Sequence, residues 1–415
     1  MNILVVGGGG REHAIITALS KSPKVEKIWA APGNGGISAL AECFPVKATD
    51  LDGILGLAKK LNPDFVFVAP DDPLVMGMVD RLNEAGFRTF GPRANAAILE
   101  GSKVFSKALM KKYGIPTAGY ETFTDADKAI EYIKAQNSYP AVIKCDGLAL
   151  GKGVIIAKDF EEAEAAVKSM LLDGKFGKSG SEIVVEEFMT GPEVTVLAFT
   201  DGKTVKPMIS SMDHKRANDN DEGLNTGGMG TIAPECMEKI FKPTIAAMQK
   251  EGRPFKGCLY FGLMLTPNGA KVVEYNCRFG DPETQVVLPL LETDLVDIME
   301  AVWEEKLDQL DIKWSDKSCA CVVIASGGYP EKYETGKEIS GLDEKGQSPL
   351  AYVYHAGTKL ENGKYYTAGG RVLGVTATGA DLREALDKAY KAVDAITFEK
   401  AHHRNDIGQR ALKAL

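Results

Sequence analysis

Short apolar runs alternate with amphipathic segments through the first hundred residues of the chain. The runs at 3–6 and 65–68 are uniformly apolar, and each is followed by a polar turn and then by a segment of helical period. Strands that alternate with helices form parallel sheets, whose ligands bind beyond the carboxyl ends of the strands. The pattern therefore predicts an N-terminal parallel α/β domain of the Rossmann-like kind.

After residue 102 the pattern changes, and apolar strands follow one another with short turns between them. Pro267-Asn268-Gly269 separates the apolar run CLYFGLML from KVVEYN and predicts a hairpin, because Asn-Gly tolerates positive φ. The run SCACVVIAS opens a last unit of strands with one helix near the carboxyl terminus. We expect a multidomain protein of α/β and α+β units, with domains at 1–102, 103–305 and 306–415.

The second arm of the predicted hairpin carries polar groups on one face. Side chains alternate across a strand, so Glu274, Asn276 and Arg278 are predicted to point the same way. Mg²⁺ takes oxygen ligands and commonly binds one or two protein oxygens together with substrate phosphates, which Glu274 and Asn276 suit. Arg278 can hold a phosphoryl or carboxylate group with two parallel hydrogen bonds. The alternative is an edge strand with a solvated polar face.

The first strand runs into the glycine-rich turn GGGGREHA, which opens a helix. Backbone N–H groups and a helix N-terminus favour phosphate there, but Glu12 occupies the third glycine position of the dinucleotide fingerprint, so NAD is disfavoured. Arg11 at a helix start is unfavourable unless an anion lies beside it, which predicts a single bound phosphate. His13 is predicted either to contact the ligand or to lie on the helix surface.

Two strands flank a loop that contains Gly147, Gly151 and Gly153. Together with the cations Lys144 and Lys152, these glycines predict a flexible cover over a polyphosphate, although the Walker A spacing is missing. The following strands carry three carboxylates suited to a ribose or an adenine amine, with solvent-facing strand positions as the alternative: Glu186, Glu187 and Glu193.

Residues 212–230 form a long polar, glycine-rich segment. Loops of this length are usually functional or disordered. The segment contains Asp213, His214, Lys215 and Arg216, a cluster able to hold an amine and a carboxylate together. The alternative is a solvated run of charge.

The composition and net charge indicate an ordinary globular protein and argue against nucleic-acid or membrane binding. The 415 residues are 44% hydrophobic and 26% charged, with a net charge of −8, so we expect no nucleic-acid or membrane partner. The amino terminus has no basic region before its apolar run, and no segment has the length of a membrane span, which predicts a cytoplasmic protein. Seven cysteines without metal-ligand spacing predict reduced thiols, with Cys277 packed in the core.

Taken together, these motifs resemble those of the glycinamide ribonucleotide synthetase family of the ATP-grasp superfamily. The resemblance covers almost the whole chain and follows the family order: GGGGREHA, APGNGG, GPRANAAILEGSK, IKCDGLALGKGV, VVEEFMTGPE, DHKR, NTGGMG, EYNCRFGDPETQ, ASGGYP, HAGT and GGRVLGVTA. It implies an N-terminal phosphoribosylamine-binding domain, a central ATP-grasp fold with a mobile lid at about 120–190, and a small mixed α/β C-terminal domain.

The resemblance also implies roles for individual residues. Glu274 and Asn276 match the metal ligands, and Arg278, Lys144, Asp213 and Lys215 are assigned to catalysis. ATP is assigned to Lys103, Lys144, Gly151, Lys152, Gly153, Glu186, Glu187, Phe188 and Glu193. Substrates are assigned to Gly9, Arg11, Glu12, His13, Asn34, Gly35, Asp213, His214, Lys215, Asn225, Gly228 and Arg278.

The implied reaction is the ATP-dependent ligation of glycine to 5-phosphoribosylamine in purine biosynthesis, through glycyl phosphate, with Mg²⁺ or Mn²⁺. A monomer or weak homodimer is expected. Three alternatives remain open: another ATP-grasp ligase, a nicotinamide-dependent oxidoreductase, and a nucleotide-binding regulator without turnover. Nucleotide release distinguishes them, because a ligase forms ADP only with both co-substrates present.

Overall fold

The structure is a computed structural model that describes residues 1–148, 153–173, 177–209, 216–218, 222–225 and 235–414. The N-terminal region is a five-stranded parallel sheet in the order β3-β2-β1-β4-β5. Its strands are β1 (Asn2–Gly7), β2 (Lys27–Pro32), β3 (Glu42–Cys43), β4 (Phe65–Val68) and β5 (Thr89–Phe90). Its helices are α1 (Gly10–Leu19), α2 (Leu51–Leu61), α3 (Asp71–Val75), α4 (Met78–Glu84) and α5 (Ala94–Gly101). The predicted parallel α/β domain is confirmed.

A smaller unit follows, with an antiparallel sheet in the order β6-β9-β7-β8 and two helices; we call this unit the lid. After α6 (Lys103–Tyr113) it comprises β6 (Tyr120–Phe123), α7 (Ala126–Gln136), β7 (Ala141–Cys145), β8 (Val154–Ala157), α8 (Phe160–Leu171) and β9 (Ile183–Glu187). The lid buries its own apolar cluster, which includes Ile143, Val167 and Val185.

A second antiparallel sheet, the central sheet, has the order β11-β10-β14-β15. This part of the chain comprises β10 (Glu193–Asp201), β11 (Val205–Pro207), β12 (Arg216–Asn218), β13 (Glu222–Asn225), α9 (Lys242–Lys250), β14 (Lys256–Thr266), β15 (Gly269–Asn276), α10 (Glu283–Val287) and α11 (Leu295–Trp303). The predicted hairpin is confirmed: Thr266 pairs with Gly269, whose φ is +104°. Within the segment predicted as a loop, β12 and β13 pair with each other.

The central sheet and the N-terminal domain share a core. Leu4 and Val6 of β1 belong to the same buried apolar cluster as Phe261 of β14 and Tyr275 of β15. Because this cluster is continuous, the N-terminal domain gives β15 a fixed support, whereas the lid packs over a separate core.

The C-terminal region folds around an antiparallel sheet in the order β17-β20-β16-β21, beside the hairpin β18-β19. Its elements are β16 (Ser318–Ser326), β17 (Tyr352–His355), β18 (Thr358–Glu361), β19 (Lys364–Thr367), β20 (Arg371–Gly379), α12 (Leu382–Ala395), β21 (Ala401–His402) and α13 (Gln409–Ala414). The sequence predicted one helix here, and α13 is the addition. Within the part of the chain that the structure describes, no helix is long and apolar enough to cross a membrane.

Candidate active site

Two adjoining cavities of about 250 and 310 Å³ lie between the central sheet and the lid; together we call them the cleft. β15 and the residues after it supply one wall, and β7, β8 and β9 of the lid supply the other. Residues that line both cavities are Lys144, Val154, Glu186, Val273, Glu274, Asn276 and Arg278. The structure therefore brings together the acidic strand, Lys144 and Glu186, which are far apart in sequence.

The end of β15 is shaped by a bulge. Gly262 of β14 pairs with Glu274, whereas the adjacent Leu263 pairs with Val272, so Val273 is an extra residue on β15. A Cβ atom on Gly262 would lie 3.2 Å from the Glu274 Cγ atom, so the glycine leaves room for this side chain. β15 is the edge strand of its sheet, but Glu274 and Asn276 are half-buried in the cleft wall and do not form a solvated face.

The residues at the end of β15 fit a hard divalent cation. Glu274 and Asn276 present a carboxylate and an amide oxygen to the same cavity. Within the described ranges, no group of three or more His, Cys, Asp or Glu side chains is placed to hold a metal ion. A pair of oxygen ligands suits Mg²⁺ or Mn²⁺ when substrate phosphates and water complete the coordination.

Arg278 lies beyond the end of β15 and is surrounded by acceptors. Its Nη2 donates to Asn276 Oδ1 at 3.1 Å and lies 3.0 Å from Glu100 Oε1 and 3.9 Å from Asp71 Oδ2. Burial raises the pKa of Glu100 to about 7, against the opposing effect of Arg278. Burial also acts to raise the pKa of Asp71, but Arg278 and Arg11 outweigh it and the pKa is lowered.

Lysines from α6 and β7 converge on Glu186 from the lid. Lys144 Nζ lies 3.0 Å from Glu186 Oε2, and Lys107 Nζ lies 3.2 Å from Glu186 Oε1. Burial lowers the pKa of Lys107 to about 8, partly offset by Glu186. Lys103 donates to the carbonyl oxygen of Gly147 at 3.1 Å, and burial lowers its pKa. The cleft thus carries three cations opposite Glu274.

Of the two cavities, we call the one of about 310 Å³ the outer cavity and the one of about 250 Å³ the inner cavity. Three more predicted ATP residues line the outer cavity: Glu187, Phe188 and Glu193. Glu187 pairs with Lys271 at 2.8 Å and accepts from the Gly119 N–H at 3.0 Å. Phe188 is 41% exposed and lines the same cavity as Glu193, so an apolar ring faces the cavity mouth. Gly153 borders the inner cavity.

The anion beside Arg11 comes from the protein itself. Asp281 Oδ2 accepts from the Arg11 backbone N–H at 3.2 Å, at the start of α1. Glu12 accepts from the Gly9 N–H at 2.5 Å and pairs with Arg11 Nε at 2.6 Å. Two carboxylates of the chain therefore already lie beside Arg11, and the bound phosphate stays a prediction.

Asp281 connects three regions of the chain. In addition to Arg11, its carboxylate accepts from Gln285 Nε2 at 2.7 Å, and its carbonyl oxygen accepts from Arg371 Nη1 of β20 at 2.6 Å. Burial acts to raise the pKa of Asp281, but Arg371 and Arg11 hold it below its usual value. A carboxylate that lines the outer cavity thus stays ionised.

Asn34 and Gly35, which follow β2 and are predicted to bind substrate, contact the C-terminal region and do not line the cleft. Asn34 Nδ2 donates to the carbonyl oxygens of Gly8 and His355, and Asn34 Oδ1 accepts from two backbone N–H groups. Gly35 donates its N–H to the carbonyl oxygen of Thr358. The amide atoms of Asn34 thus have backbone partners in this structure, and substrate binding by Asn34 and Gly35 stays a prediction.

His13 is buried, so the alternative that it lies on the helix surface is wrong, and its contact with ligand stays a prediction. Its Nδ1 accepts from the His355 backbone N–H at 2.8 Å, and the two rings lie 5.7 Å apart. His13 also borders a separate groove of about 490 Å³ between the N- and C-terminal regions. Its contacts join two domains and do not reach the cleft.

Some predicted residues lie outside the described residues. They are Gly151, Lys152, Asp213, His214, Lys215 and Gly228, and the side chain of Asn225. Sequence reasoning missed Glu100, Lys107, Asp281 and Glu283, all of which line the cleft. Lys107 follows Lys103 by one helical turn, which was an available signal. The other three lie within motifs whose resemblance was noted, AILEGSK and GDPETQ.

Comparison with protein families covers most of the chain. Residues 1–100, 101–284 and 319–410 match in turn the N domain, the ATP-grasp (A) domain and the C domain of the family described as phosphoribosylglycinamide synthetase.

Full-length relatives and solved structures agree with this match. The chain is 48% identical over 417 residues to the phosphoribosylamine–glycine ligase of Caldanaerobacter subterraneus subsp. tengcongensis, covering 98% of this chain and 99% of that protein. It is 45% identical over 419 residues to the phosphoribosylamine–glycine ligase of Clostridium acetobutylicum, covering 99% of this chain and 100% of that protein. The crystal structure of the Thermotoga maritima phosphoribosylamine–glycine ligase superposes with a TM-score of 0.86 at 32% identity, covering 98% of this chain and 100% of that one.

A more distant structure shares the fold alone. The biotin carboxylase domain of the Hydrogenobacter thermophilus 2-oxoglutarate carboxylase, in complex with MgADP, superposes with a TM-score of 0.73 at 16% identity. The superposition covers 97% of this chain and 91% of that one.

Proposed function

The chain belongs to the phosphoribosylglycinamide synthetase family, and we propose that its cleft is where ATP activates glycine for ligation to 5-phosphoribosylamine. The protein is an ATP-dependent ligase of purine biosynthesis. One observation carries the assignment of the cleft: Glu274, Asn276 and Arg278 share a wall that faces Lys144. Oxygen ligands and cations facing one cavity suit phosphoryl transfer, in which positioning and charge neutralisation provide most of the acceleration.

The reaction has two bond exchanges. A glycine carboxylate oxygen attacks the γ-phosphorus of ATP, ADP leaves, and glycyl phosphate forms. The amine nitrogen of 5-phosphoribosylamine then attacks the glycyl carbonyl carbon, phosphate leaves, and the nitrogen loses a proton. Activation comes first because a carboxylate oxygen is a poor leaving group until it is phosphorylated.

Each wall of the cleft has a separate task in this scheme. Glu274 and Asn276 hold Mg²⁺ or Mn²⁺, which neutralises phosphate charge when bound. Lys144 and Lys103 neutralise the charge of the transferring phosphoryl group, and Arg278 holds the carboxylate or acyl phosphate. Phe188 and Glu193, at the outer cavity, bind the adenosine. The fold neighbour crystallised with MgADP is consistent with a metal-bound nucleotide.

The lid closes over the nucleotide during turnover. Its separate apolar core supports this proposal, because a unit with its own core moves without opening the core of the central sheet. Closure excludes water from glycyl phosphate, which is otherwise hydrolysed. The predicted cover loop lies largely outside the described residues.

The N-terminal domain takes part in binding the ribosylamine. Its glycine-rich turn is joined to the outer cavity by the contact between Arg11 and Asp281. We place the enzyme in the cytoplasm, which its seven free cysteines support, and we expect a monomer or weak homodimer. Calorimetric titration separates a ribose phosphate site from a dinucleotide site: a stable phosphoribosylamine analogue binds, and NAD does not.

The decisive variant is Glu274→Gln, which keeps the side-chain shape and removes the charge. Turnover, measured as ADP formation that requires both glycine and phosphoribosylamine, should fall on the order of 10²-fold or more. The thermal midpoint should stay unchanged. Asn276→Asp, which keeps an oxygen, should lose less. Glu361→Gln, a change at an exposed position of β18, is the control. Near-normal turnover of Glu274→Gln with unchanged magnesium dependence would remove the metal assignment.

A further inference from the structure

The Arg278 guanidinium is shared between two neighbours of different kinds. One is Asn276 Oδ1, a neutral amide oxygen 3.1 Å from Nη2. The other is Glu100 Oε1, a carboxylate oxygen 3.0 Å from the same nitrogen. Among the described residues, the buried Nε of Arg278 has no hydrogen-bond partner. Arg278 therefore touches a proposed metal ligand and keeps one N–H available.

Glu100 holds the two residues that follow that ligand, Cys277 and Arg278. It is buried near the end of α5, and its Oε2 accepts from the Cys277 backbone N–H at 2.7 Å. Cys277 Sγ donates to the Ala97 carbonyl oxygen at 3.4 Å, which fixes the same segment to the same helix. One carboxylate thus anchors the residue after Asn276 and the guanidinium of the next residue.

The contact with Asn276 conflicts with metal binding. A divalent cation on Asn276 Oδ1 shares that oxygen with a guanidinium nitrogen, and two cations at one neutral acceptor repel each other strongly where water is scarce. Arg278 must therefore leave Asn276 when the metal arrives. Glu100 is the charged partner that remains within hydrogen-bond distance.

We propose that Glu100 is a positioning residue that retains Arg278 in the cleft while the divalent cation displaces the guanidinium from Asn276. The inference rests on the proposed metal site at Glu274 and Asn276. The metal ion replaces the Arg278 guanidinium at Asn276 Oδ1, while Glu100 keeps its contact with Arg278. The displaced guanidinium turns its Nε and one terminal nitrogen toward the carboxylate or acyl phosphate of the substrate.

The exchange makes a prediction about metal affinity that does not involve turnover. The test is made above pH 7, where the Glu100 carboxylate is ionised. Without that charge, Arg278 depends on Asn276 and competes harder with the metal, so Glu100→Gln should weaken Mn²⁺ binding about tenfold. Arg278→Met removes the competitor and should leave Mn²⁺ binding equal or tighter. In the double variant the effect of Glu100→Gln should vanish, because no guanidinium is left to hold.

The measurement is a titration of Mn²⁺ into protein saturated with a non-hydrolysable ATP analogue, followed by electron paramagnetic resonance. Asp80→Asn is the matched control, because Asp80 Oδ2 accepts from the Ala94 N–H at 2.8 Å at the start of α5 without touching Arg278. It loosens the same helix and should leave Mn²⁺ affinity unchanged. Thermal midpoints of all variants accompany the titration.

The outcomes separate this inference from the metal site on which it rests. If Glu274→Gln leaves Mn²⁺ affinity unchanged, the metal site is misplaced and the inference falls with it. If Glu274→Gln weakens binding but Arg278→Met weakens it too, competition at Asn276 is refuted. An equal loss from Glu100→Gln with and without Arg278 assigns Glu100 a purely structural role and also overturns the proposal.

Discussion

Mild acid should weaken the joint between the N- and C-terminal regions, because two histidines are buried there in neutral form. His13 Nδ1 accepts a backbone N–H of His355, while the His355 ring nitrogens contact Gly346 O at 2.8 Å and Thr358 Oγ1 at 3.0 Å. Burial and the neighbouring His355 lower the pKa of His13 to about 3. Burial lowers the pKa of His355 to about 4.

The size of the effect follows from these values. In the unfolded chain both pKa values return to about 6.5, so below pH 6.5 the unfolded state takes up protons that the folded state does not. Stability is therefore complete above pH 6.5 and falls as the pH decreases toward the folded-state values. At pH 5, each histidine lowers the free energy of unfolding by about 2 kcal/mol, or about 4 kcal/mol for the pair.

Glu100 acts in the opposite direction. Its folded-state pKa of about 7 exceeds the ordinary 4.5, so its contribution to stability rises as the pH falls through this range. The pH dependence of the unmodified protein therefore mixes opposing terms. A comparison between variants isolates the histidines.

Urea unfolding at pH 7.5 and pH 5.0, followed by circular dichroism, measures the difference. His13→Asn keeps an acceptor near the position of Nδ1 and removes the titration, so its loss of stability between the two pH values should be about 2 kcal/mol smaller than that of the unmodified protein. His402→Asn, at an exposed position, is the control and should follow the unmodified protein. Equal losses in all three proteins would refute the assignment of a buried, neutral His13.

Two further substitutions test packing and charge within the described residues. Lys107→Met leaves Lys144 as the remaining lysine paired with Glu186, so Lys144 is less free to bind nucleotide. The KM for ATP should therefore rise about tenfold at an unchanged thermal midpoint. A lower thermal midpoint without a change in KM would contradict this role. Gly36→Ala places a Cβ atom 2.3 Å from His355 Cγ and should lower the free energy of unfolding in urea by about 1–3 kcal/mol. Gly56→Ala, with open space around the new Cβ atom, is the control and should be neutral or slightly stabilising. Equal effects of the two substitutions would contradict the clash.

Local patterns were enough to predict much of the fold and one wall of the cleft. The alternation of strand and helix indicated the parallel sheet, Asn268-Gly269 indicated the hairpin, and period two placed Glu274 and Asn276 on one face. Each of these inferences depends on neighbours within a few residues, which periodicity reports directly.

Partners distant in sequence were beyond such patterns. Glu100 meets Cys277 across 177 positions, and Arg11 meets Asp281 across 270. Nothing in the sequence near Arg11 signals that the distant Asp281 lies beside its backbone N–H. The burial of His13 was beyond local patterns for the same reason, because the strand that buries it lies 342 positions away.

The contacts of Asp281 limit how the domains of this protein can be exchanged with those of its relatives. Its carboxylate accepts from the backbone N–H at the start of α1, and its carbonyl oxygen accepts from Arg371 in the C-terminal sheet. One residue therefore contacts two other domains. A chimera that imports a C-terminal domain without a guanidinium at this position leaves a partly buried acid with Arg11 as its remaining cation. We therefore expect a chimera to fold best when the arginine and the aspartate come from the same parent, so that domain boundaries alone do not define interchangeable parts.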